Sequence, residues 1–208
     1  MNYNFNIKQL EDYHVNDYYV NDMIWNLFLI VVPIVLYFLI KKRWYYSRGG
    51  LWNKILVLVL FVAWLTFLPN TAYVMTDVRH LVNYCPNTEF NVCPTNSWMP
   101  IFFFTYSLIG WISFVWLLNS VVALVGSRLN RVIASVFLLL AIPMSALGVL
   151  LGLLDRLNSW DLITRPMTVY KTTILYFTDW QLLKILIIYS VLFFVLYGLG
   201  GLFLKKSN

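Results

Sequence analysis

The chain has 208 residues, 61% of them apolar and only 12% charged, with a mean hydropathy of +0.72. A soluble domain carries roughly 25% charged residues, so a water-soluble globule is excluded: a chain this short could not hide so much apolar surface. The net charge of +6 and pI near 9.3 do not point to nucleic acid, because the basic residues sit at the ends of apolar runs rather than on one hydrated face. In that position they set membrane topology.

An apolar helix needs about 20 residues to cross the hydrocarbon core, and five windows qualify: roughly 22–40, 51–68, 100–125, 132–154 and 181–204. The arm before the first window carries Glu11, Asp12, Asp17 and Asp22. A cleavable signal would be positive there, so this span is expected to stay in the mature protein. His14 sits in the same arm beside Tyr13, Tyr18 and Tyr19 and reads as interfacial. Asn26, early in the first span, can hydrogen-bond into a polar cluster near that end. Pro33 and Pro143 interrupt their spans, which membrane helices tolerate when neighbours satisfy the freed backbone.

The second span runs into Leu68 to Leu81, LPNTAYVMTDVRHL, where six strongly polar residues crowd together. Pro69 ends or kinks the span, and Asn70 or Thr71 can cap a new short helix. At 100° per residue Tyr73, Thr76, Asp77, His80 and Tyr84 share one face, with Arg79 at its edge. Val74, Val78, Leu81 and Val82 gather opposite, which predicts an amphipathic helix along or dipping into the interface. Asp77 and His80, three apart, suit a metal pair, a carboxylate orienting a general base, or a plain hydrogen bond. Cys85 and Cys93 follow in one polar loop, spaced for a small disulfide if that loop lies outside the cytoplasm.

In the fourth span Ser145, Gly148 and Gly152 form a stripe of small residues that lets another helix come close. It leads into LGLLDRLNSWDLITRP, Leu151 to Pro166. Asn158 or Ser159 can cap a short helix containing Trp160 and Asp161, Arg165 stands four after Asp161 in the order favouring an ion pair, and Pro166 is expected to stop it. Thr178 and Gln181 match a capping box at the start of the last span.

Charge assigns the sides. Lys41, Lys42, Arg43, Arg48, Lys54, Arg128, Arg131, Lys205 and Lys206 fall on alternate connections, and all nine acids fall on the others. Basic residues are retained on the cytoplasmic side, so the expected topology is N-terminus out and C-terminus in. Both polar strings then face the same extracytoplasmic surface. The expectation is an all-α, polytopic helical membrane protein, a single domain over residues 1–208, with about five spans plus short interfacial helices.

A pocket shared by the two strings would place Asp77, His80 and Asp161 in catalytic roles, with a divalent metal as the candidate cofactor. Asn70, Tyr73, Arg79, Asp155, Arg156, Asn158, Trp160 and Arg165 would bind substrate. Carboxylates, an imidazole and guanidiniums suit metal-assisted chemistry on a phosphate, or recognition of an anionic headgroup. The expected partners are the lipid bilayer and an anionic lipid or envelope substrate. Two alternatives stay open: a lipid or small-solute transporter, and a non-catalytic accessory or scaffold subunit with a membrane protein partner. A transporter would carry ionisable groups near mid-membrane, a broken helix or an internal repeat. No span centre holds an acid, and five helices do not divide into equal halves.

Trp25-Asn26-Leu27-Phe28-Leu29 with Pro33, Phe67-Leu68-Pro69-Asn70 with Tyr73, Thr76-Asp77 and His80-Leu81, then Leu151-Gly152 and Asn158-Ser159-Trp160-Asp161 resemble the bacterial family called domain of unknown function 1361. The resemblance runs from the first span to at least Pro166. It implies a multi-span protein of a bacterial cytoplasmic membrane with no established activity. Many members carry a Trp-Tyr-Asp string near the start of the third span; here Trp98 is followed by Met99 and Pro100, so a catalytic aspartate there would be missing.

Overall fold

The computed structural model describes residues 14–15, 18–46, 50–81 and 97–204. Two two-residue strands, β1 (His14–Val15) and β2 (Tyr18–Tyr19), pair antiparallel ahead of the first helix. After them, every regular element among the described residues is a helix. In order come α1 (Val20–Tyr46), α2 (Leu51–Phe67), α3 (Pro69–Tyr73), a 3-10 helix η1 (Val74–Leu81), α4 (Met99–Arg128), α5 (Arg131–Leu153), α6 (Asp161–Thr164), α7 (Pro166–Thr178) and α8 (Trp180–Leu204). Five stretches are long and apolar enough to cross a membrane: Val20–Tyr45, Leu51–Leu81, Met99–Arg128, Arg131–Leu153 and Trp180–Phe203. They coincide with the five windows read from hydropathy, and Pro33 and Pro143 lie inside unbroken helices. Cys85 and Cys93 lie outside the described residues.

The core forms around α4, whose Phe114, Leu117, Leu118 and Val121 are buried against Ile142, Ala146 and Val149 of α5. Phe193 of α8 meets Phe114 from the other side, with ring centroids 5.5 Å apart. Because lipid chains are as apolar as leucine, helices in a bilayer are held by close packing and a few interhelical hydrogen bonds. Here Tyr197 donates to Asn119 Oδ1 at 2.6 Å, Trp111 Nε1 to the Leu196 carbonyl at 3.0 Å, and Tyr106 to the Met23 carbonyl at 3.3 Å. At the basic end of the bundle Arg128 lies 4.0 Å over the Tyr45 ring, and Asn130 caps α5 by accepting from the Ile133 N–H at 2.7 Å.

The second span is broken. The 17 residues of α2 rise about 25 Å, short of the roughly 30 Å hydrocarbon core, and the five residues of α3 add about 8 Å, enough to complete the crossing. The eight residues of η1 add about 16 Å at the 3-10 rise. The amphipathic element expected there is present, but as a 3-10 helix, so the residues sharing each face differ from those read at 100° per residue. A period near three puts Val74 and Asp77 on one side, both fully buried against α4, and turns Val78 outward at 41% exposure. The opposition of Asp77 to Val74 came from applying the α-helical angle to a tighter helix.

Glycines seat α3 in the bundle. A β-carbon on Gly148 would stand 2.5 Å from Pro69 Cγ, and one on Gly110 would stand 2.6 Å from the Thr71 carbonyl oxygen. Gly152 faces the Tyr73 ring at 3.3 Å by the same measure. The small-residue stripe of the fourth span thus receives the broken part of the second, beside a buried Ser145 whose hydroxyl returns to the Ala141 carbonyl at 2.7 Å.

The short helix α6 ends at Thr164 ahead of Pro166, as expected, with Arg165 turned out of helical angles; Pro166 also opens α7, where its missing N–H is harmless. Two local expectations are corrected. The cap of α8 is Asp179, which accepts from the Gln181 and Leu182 N–H groups at 2.8 and 3.1 Å, while Thr178 bonds back to Ile174. Neither Asn70 nor Thr71 caps α3. Their side chains return to the Phe67 and Leu68 carbonyls at 3.0 and 2.7 Å, satisfying acceptors exposed by the break at Pro69.

A cavity at the acidic end of the bundle

Both polar strings meet at the bundle end that holds the start of α1 and the end of α5. Ser159 links them: its hydroxyl donates to the Thr66 carbonyl at 3.0 Å and accepts from Asn70 Nδ2 at 2.9 Å. Trp160 meets Trp25 of α1 edge to face, at 6.3 Å between centroids. Beneath this seam is a cavity of about 670 Å³. Its walls are apolar, built from Leu29, Val62, Leu65, Met144, Leu147 and Leu151. Its lining also includes the polar residues Asn26, Thr66, Asn70, Tyr73, Arg156 and Asn158. Val62 and Met144 are 59% and 50% exposed on the outer surface of the bundle, so the cavity lies against the lipid-facing side.

Arg156 is the cation of the lining, and no carboxylate lines the cavity among the described residues. Its backbone has φ 55°, the left-handed conformation usually taken by glycine at a helix C-terminus. The Leu157 N–H returns to the Leu151 carbonyl at 3.0 Å and closes the end of α5 around it.

Of the residues expected to bind substrate, Asn70, Tyr73, Arg156 and Asn158 line the cavity. The others are placed elsewhere. Asp161 is 2% exposed and held in its own turn by Arg165 Nε at 2.9 Å and Nη2 at 2.8 Å, by the Asn158 N–H at 2.8 Å and by the Thr164 hydroxyl at 2.9 Å. The Arg165 hydrogen bond, then that of the Asn158 N–H, holds the Asp161 carboxyl well below the usual carboxylate range. Trp160 stands at the N-cap of α6 with no side-chain cap bond, whereas Asn158 or Ser159 was expected there; Asp161 instead ties the preceding Asn158 N–H to the turn. Asp155 accepts from the Tyr176 hydroxyl at 2.9 Å. Burial, then this contact, raises the Tyr176 pKa.

Asp77, Arg79 and His80 stand outside the cavity lining, on the second span where it packs on α4. His80 stacks on Phe103 with centroids 6.3 Å apart and accepts from Arg79 Nε at 3.4 Å. Asn26, which lines the cavity, reaches Asp77 Oδ2 through Nδ2 at 3.5 Å, as its place in the first span suggested. Among the described residues no group of three or more His, Cys, Asp or Glu stands close enough to hold a metal ion. The candidate divalent metal thus has no ligand set there. Sequence reasoning overlooked Ser159 and Thr66 as site residues; the signal was Pro69, which strips a span of helical donors and calls for outside partners.

Five apolar helices, a broken second span and a partly polar cavity at one end define a polytopic helical membrane protein. Within that class the chain belongs to the family described as Protein of unknown function (DUF1361), whose model matches residues 25–196. Neither a curated protein nor a solved structure matches it.

Proposed function

We propose that the protein binds an anionic amphiphile, a lipid or lipid-linked envelope substrate, at the extracytoplasmic face of a bacterial cytoplasmic membrane. The observation that carries this reading is the cavity itself: apolar walls for hydrocarbon and polar lining residues that include one guanidinium, Arg156, and no carboxylate among the described residues. Arg recognises carboxylates and phosphates through paired, charge-assisted hydrogen bonds. Val62 and Met144, exposed to lipid, offer an entry from the bilayer. The acids at this end, and the nine basic residues on the opposite connections, support an extracytoplasmic position for the cavity.

Titration of purified protein in phosphatidylcholine nanodiscs with short-chain phosphatidylglycerol tests the reading. A hydrogen bond to a charged group contributes about 1.5–3 kcal/mol, so Arg156→Ala weakens binding at least tenfold. Equal binding by wild type and variant would refute the assignment. A lipid carrier is the second reading, favoured by the interruption of the second span at Pro69 beside the cavity. Movement of a labelled anionic lipid between the leaflets of reconstituted vesicles separates carrier from binder.

A further inference from the structure

Asn70 has a fixed amide. Its Nδ2 donates to the Phe67 carbonyl at 3.0 Å and to Ser159 Oγ at 2.9 Å. A carbonyl can only accept, and Ser159 spends its single proton on the Thr66 carbonyl at 3.0 Å, so it too can only accept from Asn70. Flipping the amide would set oxygen against oxygen twice. Both N–H groups are therefore committed, and Oδ1 is the atom of this side chain left to address a ligand in the cavity that Asn70 lines.

A ligand satisfying this lining carries a hydrogen-bond donor for Asn70 and an anion for Arg156. The donor could be a hydroxyl or an ammonium. An ammonium needs a counter-charge once it leaves water, and no carboxylate lines the cavity among the described residues. We infer that the headgroup is a hydroxyl-bearing anionic phosphodiester, of the glycerol or sugar kind, read by the Asn70 carbonyl and the Arg156 guanidinium together. The inference rests on the amphiphile reading above and narrows it.

The test compares phosphatidylglycerol, the same lipid with both headgroup hydroxyls methylated, and phosphatidylethanolamine of matched chains, each titrated into wild type, Asn70→Ala and Arg156→Ala in phosphatidylcholine nanodiscs. Methylation is expected to weaken binding to wild type about tenfold, to matter little to Asn70→Ala, and to keep its tenfold effect in Arg156→Ala while both lipids bind more weakly. If the methylated lipid binds wild type as tightly as its parent, the headgroup inference falls and the amphiphile reading survives. Tighter binding of phosphatidylethanolamine overturns it in favour of an ammonium. If none of the lipids binds, the amphiphile reading falls too. Should Asn70→Ala fail to fold, the wild-type comparison of parent and methylated lipid decides alone.

Discussion

Arg156 combines an unfavourable backbone with a useful side chain. A left-handed residue bearing a β-carbon costs about 1–2 kcal/mol, and glycine would remove that cost at φ 55°. Arg156→Gly is therefore expected to raise the melting temperature in detergent, corresponding to about 1 kcal/mol, while weakening anionic lipid binding; loss of stability would contradict the strain. Asp161 is expected to behave differently. Replacing it with Asn removes the paired acceptor of Arg165 and should cost about 1–2 kcal/mol in thermal unfolding. Its folded pKa lies below the ordinary 3.8, so this contribution is present above that value and is lost as pH falls beneath it. The gap in melting temperature between wild type and Asp161→Asn should stay level through neutral and mildly acid pH and close below 3.8. The spacing of Asp161 and Arg165 made their pairing legible in sequence. That the pair would saturate the carboxylate was not legible, because the Asn158 N–H and Thr164 hydroxyl that complete it depend on how the loop folds.

The broken second span organises the site. Its α3 turn occupies the space that Gly110, Gly148 and Gly152 leave, and from there it sends Asn70 and Tyr73 to the cavity and Asp77 toward Asn26. Gly148→Ala would drive a methyl group into the Pro69 ring, which cannot swing aside as a flexible chain end would. Overpacking of this kind costs about 1–3 kcal/mol, so the variant should melt lower and weaken the lipid binding that depends on Asn70. Gly198→Ala, with open space around it, should change neither. Hydropathy made all five spans visible and the stripe in the fourth span pointed to close packing, because both signals are local. The pitch of η1 and the helix after Pro166 were not visible. The first is imposed by packing on α4; the second begins at a proline that sequence alone reads equally well as an end.

For the whole molecule, all nine acids and both polar strings fall on one side of the topology read from charge, and two strings nearly ninety positions apart meet there through Asn70 and Ser159. The sidedness assigned from charge predicts that, with Cys85 and Cys93 replaced by Ser, Asn158→Cys reacts with a membrane-impermeant thiol reagent applied to intact cells. Leu129→Cys, at the basic end, should react only after permeabilisation. The meeting of the strings was legible from topology, but its content was not. Asp161 pairs with Arg165, Asp155 is held by Tyr176 and Asp77 by Asn26, and the cavity is left to amides, hydroxyls and a single guanidinium.

The most direct test of the binding account is an experimental density map of the protein in nanodiscs containing phosphatidylglycerol. The account predicts a lipid with its phosphate beside Arg156, a headgroup hydroxyl on the Asn70 carbonyl and a chain passing between Val62 and Met144. An unoccupied cavity at saturating lipid, or a headgroup bound at Asp77 and His80 instead, would contradict it.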